Sequence, residues 1–596
     1  MPETYDAGSL PGWQDVDTYY WLENEVMLVF QLDLPLASQS IADAIRLDDL
    51  NQFLNFYSYR LSPFGPEKLA PVSAHVAHDQ QGQYLFPTPA GSGTTVVGFF
   101  SVSPVPAPVP DPSIVAEWWS PNAGQSDACK VANLINTNLA MLKHESKIPV
   151  IAAAPHWIGS ATPCMVGSGP GVPPVPVASD ESSATTPGQW PINLPAVNAA
   201  DSLLTDKRGA GVHVFVLDTM PALSTQTQPL AAAAQQAGEH NRLLQRLASE
   251  AQEPSLYQLH YQLLPEEARF SSEYQPAAGR DIHGNAYAFN MPDHGLFVSG
   301  IIRDLVPEAS IEHIRVLNDL GGGDLCTLIG TLNTISTRMA VGGDLYQQPV
   351  VVNLSLVVGP DDELLPQIWY SSDDLAKMGT QSEVAIELGL LRSALHLVVQ
   401  NLVAHGAVVV AAAGNDSNSP TVPKRIGPHY PAAFPEVISV AAVDRQGKPA
   451  LYSNSPQAAT LHNGIATYGG AALTLEEVQN GHHLDALKGV YTSTSYPAPE
   501  VHTPALPDYP APNTYGWAFW SGTSFATPIV SAVVARILQA LASGATSTHW
   551  QSLPPAQRAA EVQRLLTTVD GQLEIFGSAL TLQPDFGVTL LNATQA

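Results

Sequence analysis

A serine stands just ahead of a long apolar run in Ser521-Gly522-Thr523-Ser524-Phe525-Ala526-Thr527-Pro528, which continues as Ile529–Ala542 with Gly544 just past its end. The run predicts a helix over 529–542, stopped by the glycine. A serine at a helix N-terminus lies among backbone N–H groups that lack intrahelical partners, near the positive end of the macrodipole. Negative charge developing on a carbonyl oxygen is stabilised there, although a plain N-cap serine looks the same locally. Three other residues invite the same scrutiny. Asp218 closes the apolar run Val212–Leu217. The carboxyl ends of strands in open α/β sheets are where ligands gather, yet an aspartate after a strand is more often a turn former. His294 precedes the small and apolar stretch Gly295–Ile302, the start of a buried helix, where an ordinary polar cap is the commoner role. Asn415 follows Gly414 at the end of the strand-like run Val408–Ala413, and Gly-Asn turns are common. Singly these residues are unremarkable. Together they supply an alcohol, an imidazole, a carboxylate and an amide, the set that acyl transfer needs. A serine hydroxyl is a poor nucleophile until a base takes its proton, and the tetrahedral intermediate needs pre-aimed donors.

The four occur in the chain order Asp…His…Ser, with local motifs to match. GTSFATP resembles the GTSMASP-like nucleophile segment of the subtilisin-like serine peptidases, HGLFVSG resembles HGTHVAG, VFVLDT resembles VAVIDS/T, and AAAGN resembles the oxyanion strand. VVNLSL at 351–356 is similar to the edge strand that pairs with substrate, YPAAFPEVISVAAVD at 430–444 to the strand region after the oxyanion asparagine, and FGVTLLNATQA to the usual close of the domain. The resemblance covers roughly residues 185–596. It implies Ser524 as nucleophile, His294 as base and then acid, Asp218 as orienting carboxylate, and Asn415 as oxyanion donor beside the backbone N–H of Ser524. It also implies substrate strands at Ser355-Leu356-Val357 and Ala412-Ala413-Gly414 that bind a peptide as an added strand, with an apolar preference at P1. No cofactor is required for such catalysis. Family members often bind structural calcium, for which the sequence offers no assignable ligands, and His482-His483 reads as a solvated loop. A catalytically inactive scaffold serving as a protein-binding module is the alternative. A sedolisin-like acid peptidase, with glutamate as base and aspartate at the oxyanion position, is disfavoured by His294 and Asn415. Four departures stand out: Met220 replaces a usual glycine, Leu296-Phe297 a usual Thr-His, Val357-Val358 frequent glycines, and the Asp218–His294 separation is long.

The elements that must position these residues read as an α/β domain. Apolar runs at Val212–Leu217, Ile311–Leu317, Val350–Leu356, Ala407–Ala413 and Val437–Val443 alternate with helical stretches at Cys326–Arg338, Ile386–His405 and Ile529–Ala542. Continuous Val/Ile/Ala runs indicate a mainly parallel central sheet covered on both faces, and the resemblance implies that it belongs to a subtilisin-like three-layer domain over 193–596. Residues 221–290, with a predicted helix at Pro229–Ala248, and 456–515 read as loop insertions. Ahead of it, residues 1–155 predict a smaller α+β domain: strands at Val26–Phe30, Thr94–Val102 and Pro149–Ala154, helices at Ile41–Phe56 and Ala128–Lys143, and a proline-rich connector at 103–113. Its element order resembles the family's inhibitory propeptide, with Val150–Ala154 leading a segment into the cleft, so this domain is expected as an intramolecular inhibitor. Residues 156–192, rich in Pro, Gly and Ser over 163–192, read as a linker and the place to look for self-cleavage.

Composition sets the outer bounds. The 596 residues exceed one ordinary core. Fifty-four acidic against 25 basic residues give a net charge of −29, which repels nucleic acid and anionic membranes. Cys129, Cys164 and Cys326 permit at most one disulfide and show no metal-ligand spacing. The opening residues carry neither a basic n-region nor an apolar h-region, and no run of about 18 apolar residues suggests a bilayer span. As written, the chain is expected in the cytoplasm, with secretion by an unrecognised route left open.

Overall fold

The computed structural model describes residues 21–32, 44–64, 84–87, 94–106, 126–161, 174–177, 190–221, 229–253, 256–261, 291–319, 321–359, 365–369, 388–418, 424–457, 463–473, 477, 484–497 and 511–595. Cys164, His482 and His483 lie outside them, as do 262–290 and most of the 163–192 stretch.

The N-terminal region is an antiparallel sheet of β1 (Trp21–Leu32), β2 (Tyr59–Pro63), β3 (Tyr84–Pro87), β4 (Thr94–Pro104) and β5 (Val150–Ala161), ordered β5-β1-β4-β2 with β3 on β4. Helix Leu47–Asn55 packs beside β2. The predicted helix over 128–143 is two helices, Asp127–Thr137 and Leu139–His144, which meet at Asn138. Ser126 caps the first by accepting a hydrogen bond from the Cys129 N–H. β5 outruns its predicted end by seven residues, so positions 156–161, read as linker, are strand. Short strands β6 (Val175–Pro176) and β7 (Ile192–Asn193) likewise interrupt the linker.

The second region is a nine-stranded sheet. Its members are β8 (His213–Asp218), β9 (Tyr257–His260), β10 (Ser310–Arg315), β12 (Val350–Leu354), β14 (Val408–Ala412), β15 (Ile438–Val443), β16 (Gly464–Tyr468), β21 (Thr581–Gln583) and β22 (Val588–Leu591). They lie in the order β21-β22-β16-β15-β14-β12-β8-β10-β9, parallel except for the β21–β22 pair. Every residue of β12, β14, β15 and β16 is buried, as continuous apolar runs require when both faces are covered. Helices His294–Leu305 and Thr523–Ala542 pack on each other and on this sheet; Leu325–Met339, Ser393–Ala404 and Pro555–Thr567 form a second packed group.

The remaining strands are β11 (Gly322–Asp324), β13 (Leu356–Val358), β17 (Leu487–Val490), β18 (Ser495–Tyr496), β19 (Ala511–Pro512), β20 (Trp517–Trp520) and β23 (Thr594–Gln595). Two expectations change here. The 456–515 segment is no simple loop insertion, because it supplies β16 to the interior of the sheet and β17 to a pair with β20. The 221–290 segment adds helices Leu230–Ala237 and Arg242–Gln252 and lays β9 beside β10. The helix after Gly522 starts at Thr523, so Thr523–Ala542 is long and apolar enough to cross a membrane; its apolar window is 83% buried within the protein, which makes it a core helix.

Candidate active site

Strands β8, β12 and β14 are neighbours and parallel, so their carboxyl ends share one edge of the sheet. Asp218 ends β8, Ser355 directly follows β12, and Asn415 lies just beyond β14. The N-terminal turns of the helices beginning at His294 and Thr523 belong to the same edge.

Asp218 and His294 meet there: His294 Nδ1 is 2.7 Å from Asp218 Oδ1, and both side chains are fully buried. The same carboxylate oxygen accepts the Thr219 N–H at 2.7 Å. Met220 is buried in the turn that follows, without a left-handed backbone, so the turn does not require glycine. Gly295 is required instead. A Cβ there would stand 2.3 Å from Thr219 O, 2.5 Å from His313 Nε2 and 2.7 Å from Asp218 Cβ, none able to yield. Ahead of His294, the Asp293 carboxylate is buried and accepts four hydrogen bonds, from the N–H and hydroxyl of Thr492 and of Ser493, at 2.6–2.8 Å. Burial raises the pKa of Asp293, against those donors, which favour the charged form. The 492–493 backbone is thereby tied to the start of the histidine's helix.

Ser524 sits in the first turn of Thr523–Ala542, fully buried. Pro528 lacks an N–H, so the Ser524 carbonyl has no i+4 donor within the helix. Ser355 Oγ takes that place, donating to Ser524 O at 2.8 Å, while Ser524 Oγ donates back to Ser355 O at 3.2 Å. Asn353 Nδ2 donates to Ser355 Oγ at 3.0 Å and fixes its orientation. Asn415 Oδ1 accepts both the N–H and the hydroxyl of Thr523, each at 2.9 Å, which ties the amide to the residue before Ser524. The His294 Nε2 is buried and makes no hydrogen bond among the described residues; the imidazole is packed against Phe525 and Trp520, with ring centroids 5.1 and 5.5 Å away. The serine hydroxyl in this structure thus points to Ser355 rather than to the imidazole.

The strand that enters this edge from outside is β5. Its end runs antiparallel between β13 and β11: Leu356, Val357 and Val358 pair with Ala161, Ser160 and Gly159, while Gly322, Gly323 and Asp324 pair with Ser160, Gly159 and Ile158. Leu356 and Val357 therefore flank the end of β5 on one side. The other side is β11. Residues 412–414 do not form it, because their backbone groups are engaged internally: Ala413 N with Val440 O, Ala413 O with His429 N, Gly414 N with Thr523 Oγ1, and Gly414 O with Asn454 N. Nor is 350–354 an edge strand; it lies between β8 and β14. Upstream, His156 is buried between Glu25, whose Oε2 is 2.7 Å from Nδ1, and the Cys326 N–H, 3.0 Å from Nε2. Trp157 donates from Nε1 to Leu391 O at 2.8 Å and stacks edge-on to Trp21.

Sequence reasoning passed over Asp293, His313 and Gly322–Asp324. Asp293 is adjacent to the histidine and in the N-cap position, a readable sign. The Gly321-Gly322-Gly323 run was also a sign, since backbone must approach backbone closely where a third strand fits between two others. Among the described residues no group of three or more His, Cys, Asp or Glu side chains is arranged to hold a metal ion.

The sequence matches the Subtilase family over residues 209–577, well over half the chain. It is 28% identical over 172 residues to the minor extracellular protease Epr of Bacillus subtilis (strain 168), a stretch that spans 27% of this chain and 20% of that protein. Among solved structures, fervidolysin from Fervidobacterium pennivorans, described as a keratinolytic enzyme related to subtilisin, matches 96% of this chain and 60% of its own at 13% identity and TM-score 0.41. A protease of Pseudoalteromonas arctica matches 71% of this chain and 97% of its own at 19% identity and TM-score 0.36.

Proposed function

Since the chain belongs to the subtilase family of subtilisin-like serine peptidases, we propose that it is a serine endopeptidase acting through Ser524, His294 and Asp218, with Asn415 as an oxyanion donor. The observation that carries this reading is the buried Asp218–His294 contact at 2.7 Å, at the edge where Ser524 and Asn415 also stand. Nδ1–H donates to the carboxylate, so an unprotonated Nε2, which makes no hydrogen bond among the described residues, carries the lone pair that a base needs. Catalysis then requires rotation about the Ser524 Cα–Cβ bond, which would turn the hydroxyl from Ser355 O towards that nitrogen. A substrate N–H that takes Ser355 O would release the hydroxyl at the moment it is needed.

Ser524 Oγ bonds to the carbonyl carbon as its proton passes to His294 Nε2, and Asp218 stabilises the imidazolium. Because Thr523 holds Asn415 Oδ1, the Nδ2 of that amide is the group turned to the oxyanion, beside the Ser524 N–H in the first helical turn. The imidazolium gives its proton to the leaving amine as the C–N bond breaks. Water, deprotonated by the same imidazole, attacks the acyl carbon; the bond to Ser524 Oγ breaks, the imidazolium returns its proton to that oxygen, and the acid product leaves. No cofactor takes part.

The substrate is a peptide laid as a strand between β11 and β13, the position that β5 holds in this structure. The N-terminal region accordingly acts as an intramolecular inhibitor. Labelling with a fluorophosphonate probe tests the chemistry: wild type should react at Ser524 and Ser524→Ala should not, and an unreactive wild type, also after the N-terminal region is nicked away with an added protease, rejects the enzyme reading.

A further inference from the structure

Behind Asp218, on the side away from the cleft, lies a second imidazole. His313 on β10 is fully buried, level with Val216 of β8 and with Leu259 of β9. Its Nε2 is 2.7 Å from Thr219 O, and a carbonyl only accepts, so Nε2 carries the proton. Nδ1 is then bare and accepts the Tyr257 hydroxyl at 3.0 Å. Burial keeps this ring neutral by pushing its pKa down to about 4. The tautomer is thus fixed from both sides.

Thr219 passes the constraint forward. Its carbonyl is held by His313, its N–H donates to Asp218 Oδ1, and its hydroxyl takes the Gly295 N–H at 3.1 Å while donating to Met291 O and Pro292 O. Among the described residues Asp218 Oδ2 makes no hydrogen bond, whereas Oδ1 meets both His294 Nδ1 and the Thr219 N–H. A turn built on Met220 in place of glycine has a side chain to bury and an orientation to maintain, and His313 supplies the second hold on it. The room is so closely filled that no Cβ fits at position 295.

Resting on the catalytic assignment above, we propose that His313, braced by Tyr257, is a positioning residue: by holding the Thr219 carbonyl it sets the angle at which the Asp218 carboxylate meets His294. The strand β9 of the 221–290 segment is thereby part of the support of the active site, because it delivers the Tyr257 hydroxyl.

Glutamine places its amide nitrogen where Nε2 stands, whereas asparagine reaches only to Nδ1. In the full chain, His313→Gln should stay within about threefold of wild type in fluorophosphonate labelling and in kcat on an apolar-P1 peptide. His313→Asn should lose about 10- to 100-fold in kcat with KM nearly unchanged, the scale of a misplaced catalytic group. The far-downfield proton resonance of His294 Nδ1–H should move in His313→Asn and stay in His313→Gln. That resonance reports the Asp218–His294 contact whether or not substrate turns over, so it decides the matter separately from the catalytic assignment. If His313→Asn fails to fold, Tyr257→Phe, which removes one hydroxyl, should still move the resonance and slow labelling about threefold. An unmoved resonance in the folded variants, or equal losses for Gln and Asn, overturns the proposal; a wild type that never labels overturns the catalytic assignment instead.

Discussion

The two large sheets arrive at the cleft in opposite ways. The nine-stranded sheet brings side chains to it: Asp218, Ser355 and Asn415 leave the ends of three adjacent parallel strands. The N-terminal sheet brings backbone, since β5 runs past its own sheet and offers its main chain to β11 and β13. Under the proposed function, one sheet owns the chemistry and the other owns access to it. Changes to the first should alter turnover without altering occupancy of the cleft, and changes to the second the reverse.

The sharpest test of that division is Asn415→Ala. It should lower kcat by about 10²–10³ with little change in KM, the magnitude known for the equivalent donor in subtilisin. The trypsin cleavage pattern of the N-terminal region should match that of wild type; new cuts in it would merge the two roles. Next is Gly159→Pro, which removes a ladder donor from β5, leaves the buried carbonyl opposite it unsatisfied and should cost that strand about 2–3 kcal/mol. The rate of fluorophosphonate labelling should then rise by about 100-fold, and an unchanged rate would mean that β5 does not govern access. Third comes acid stability of the peptidase side. His313 has a pKa of 6.5 unfolded and about 4 folded. The unfolded chain therefore binds more protons between those values, and stability that is complete above 6.5 declines as pH falls towards 4, by on the order of 3 kcal/mol. Urea unfolding at successive pH values should show this slope in wild type and a shallower one in His313→Gln; identical slopes would clear His313 of the effect. The smallest effect is expected on the access side. Asn51 exchanges two hydrogen bonds with the backbone of Leu61, at 2.7 and 3.0 Å, and Asn51→Ala should destabilise the N-terminal sheet by about 1–2 kcal/mol. A lower first melting transition with kcat unchanged is the expected pattern, and a loss of kcat would couple the regions.

The same contrast governs what could be read from the sequence. Strands β8, β12, β14 and β15 were visible because burial on both faces leaves an unbroken apolar run. The four candidate site residues were visible because each adjoins such a run or the helix that follows it. The far half of β5 was not. His156-Trp157-Ile158-Gly159-Ser160-Ala161 has mixed polarity because its partners change along its length, from β1 to β11 and β13, and those partners lie 162 or more positions on in the chain. Strand β16 was missed for a related reason: Gly464-Ile465-Ala466-Thr467-Tyr468 is short, and its place between β15 and β22 is a tertiary fact. Leu296 and Phe297, read as departures from a familiar pattern, turn out to be core residues, Phe297 packed 4.6 Å from Phe525 between ring centroids.

Ser355 and Ser524 each hold the other by a carbonyl and a hydroxyl. Under the proposed function a substrate N–H displaces the bond from Ser524 Oγ to Ser355 O and leaves that from Ser355 Oγ to Ser524 O, so the segment that grips a peptide stays tied to the helical turn that carries the attacking oxygen. Any tilt of the bound chain is followed by the attacking group, so alignment survives breathing of the cleft, and a substitution at Ser355 should misaim the reaction even where binding is preserved.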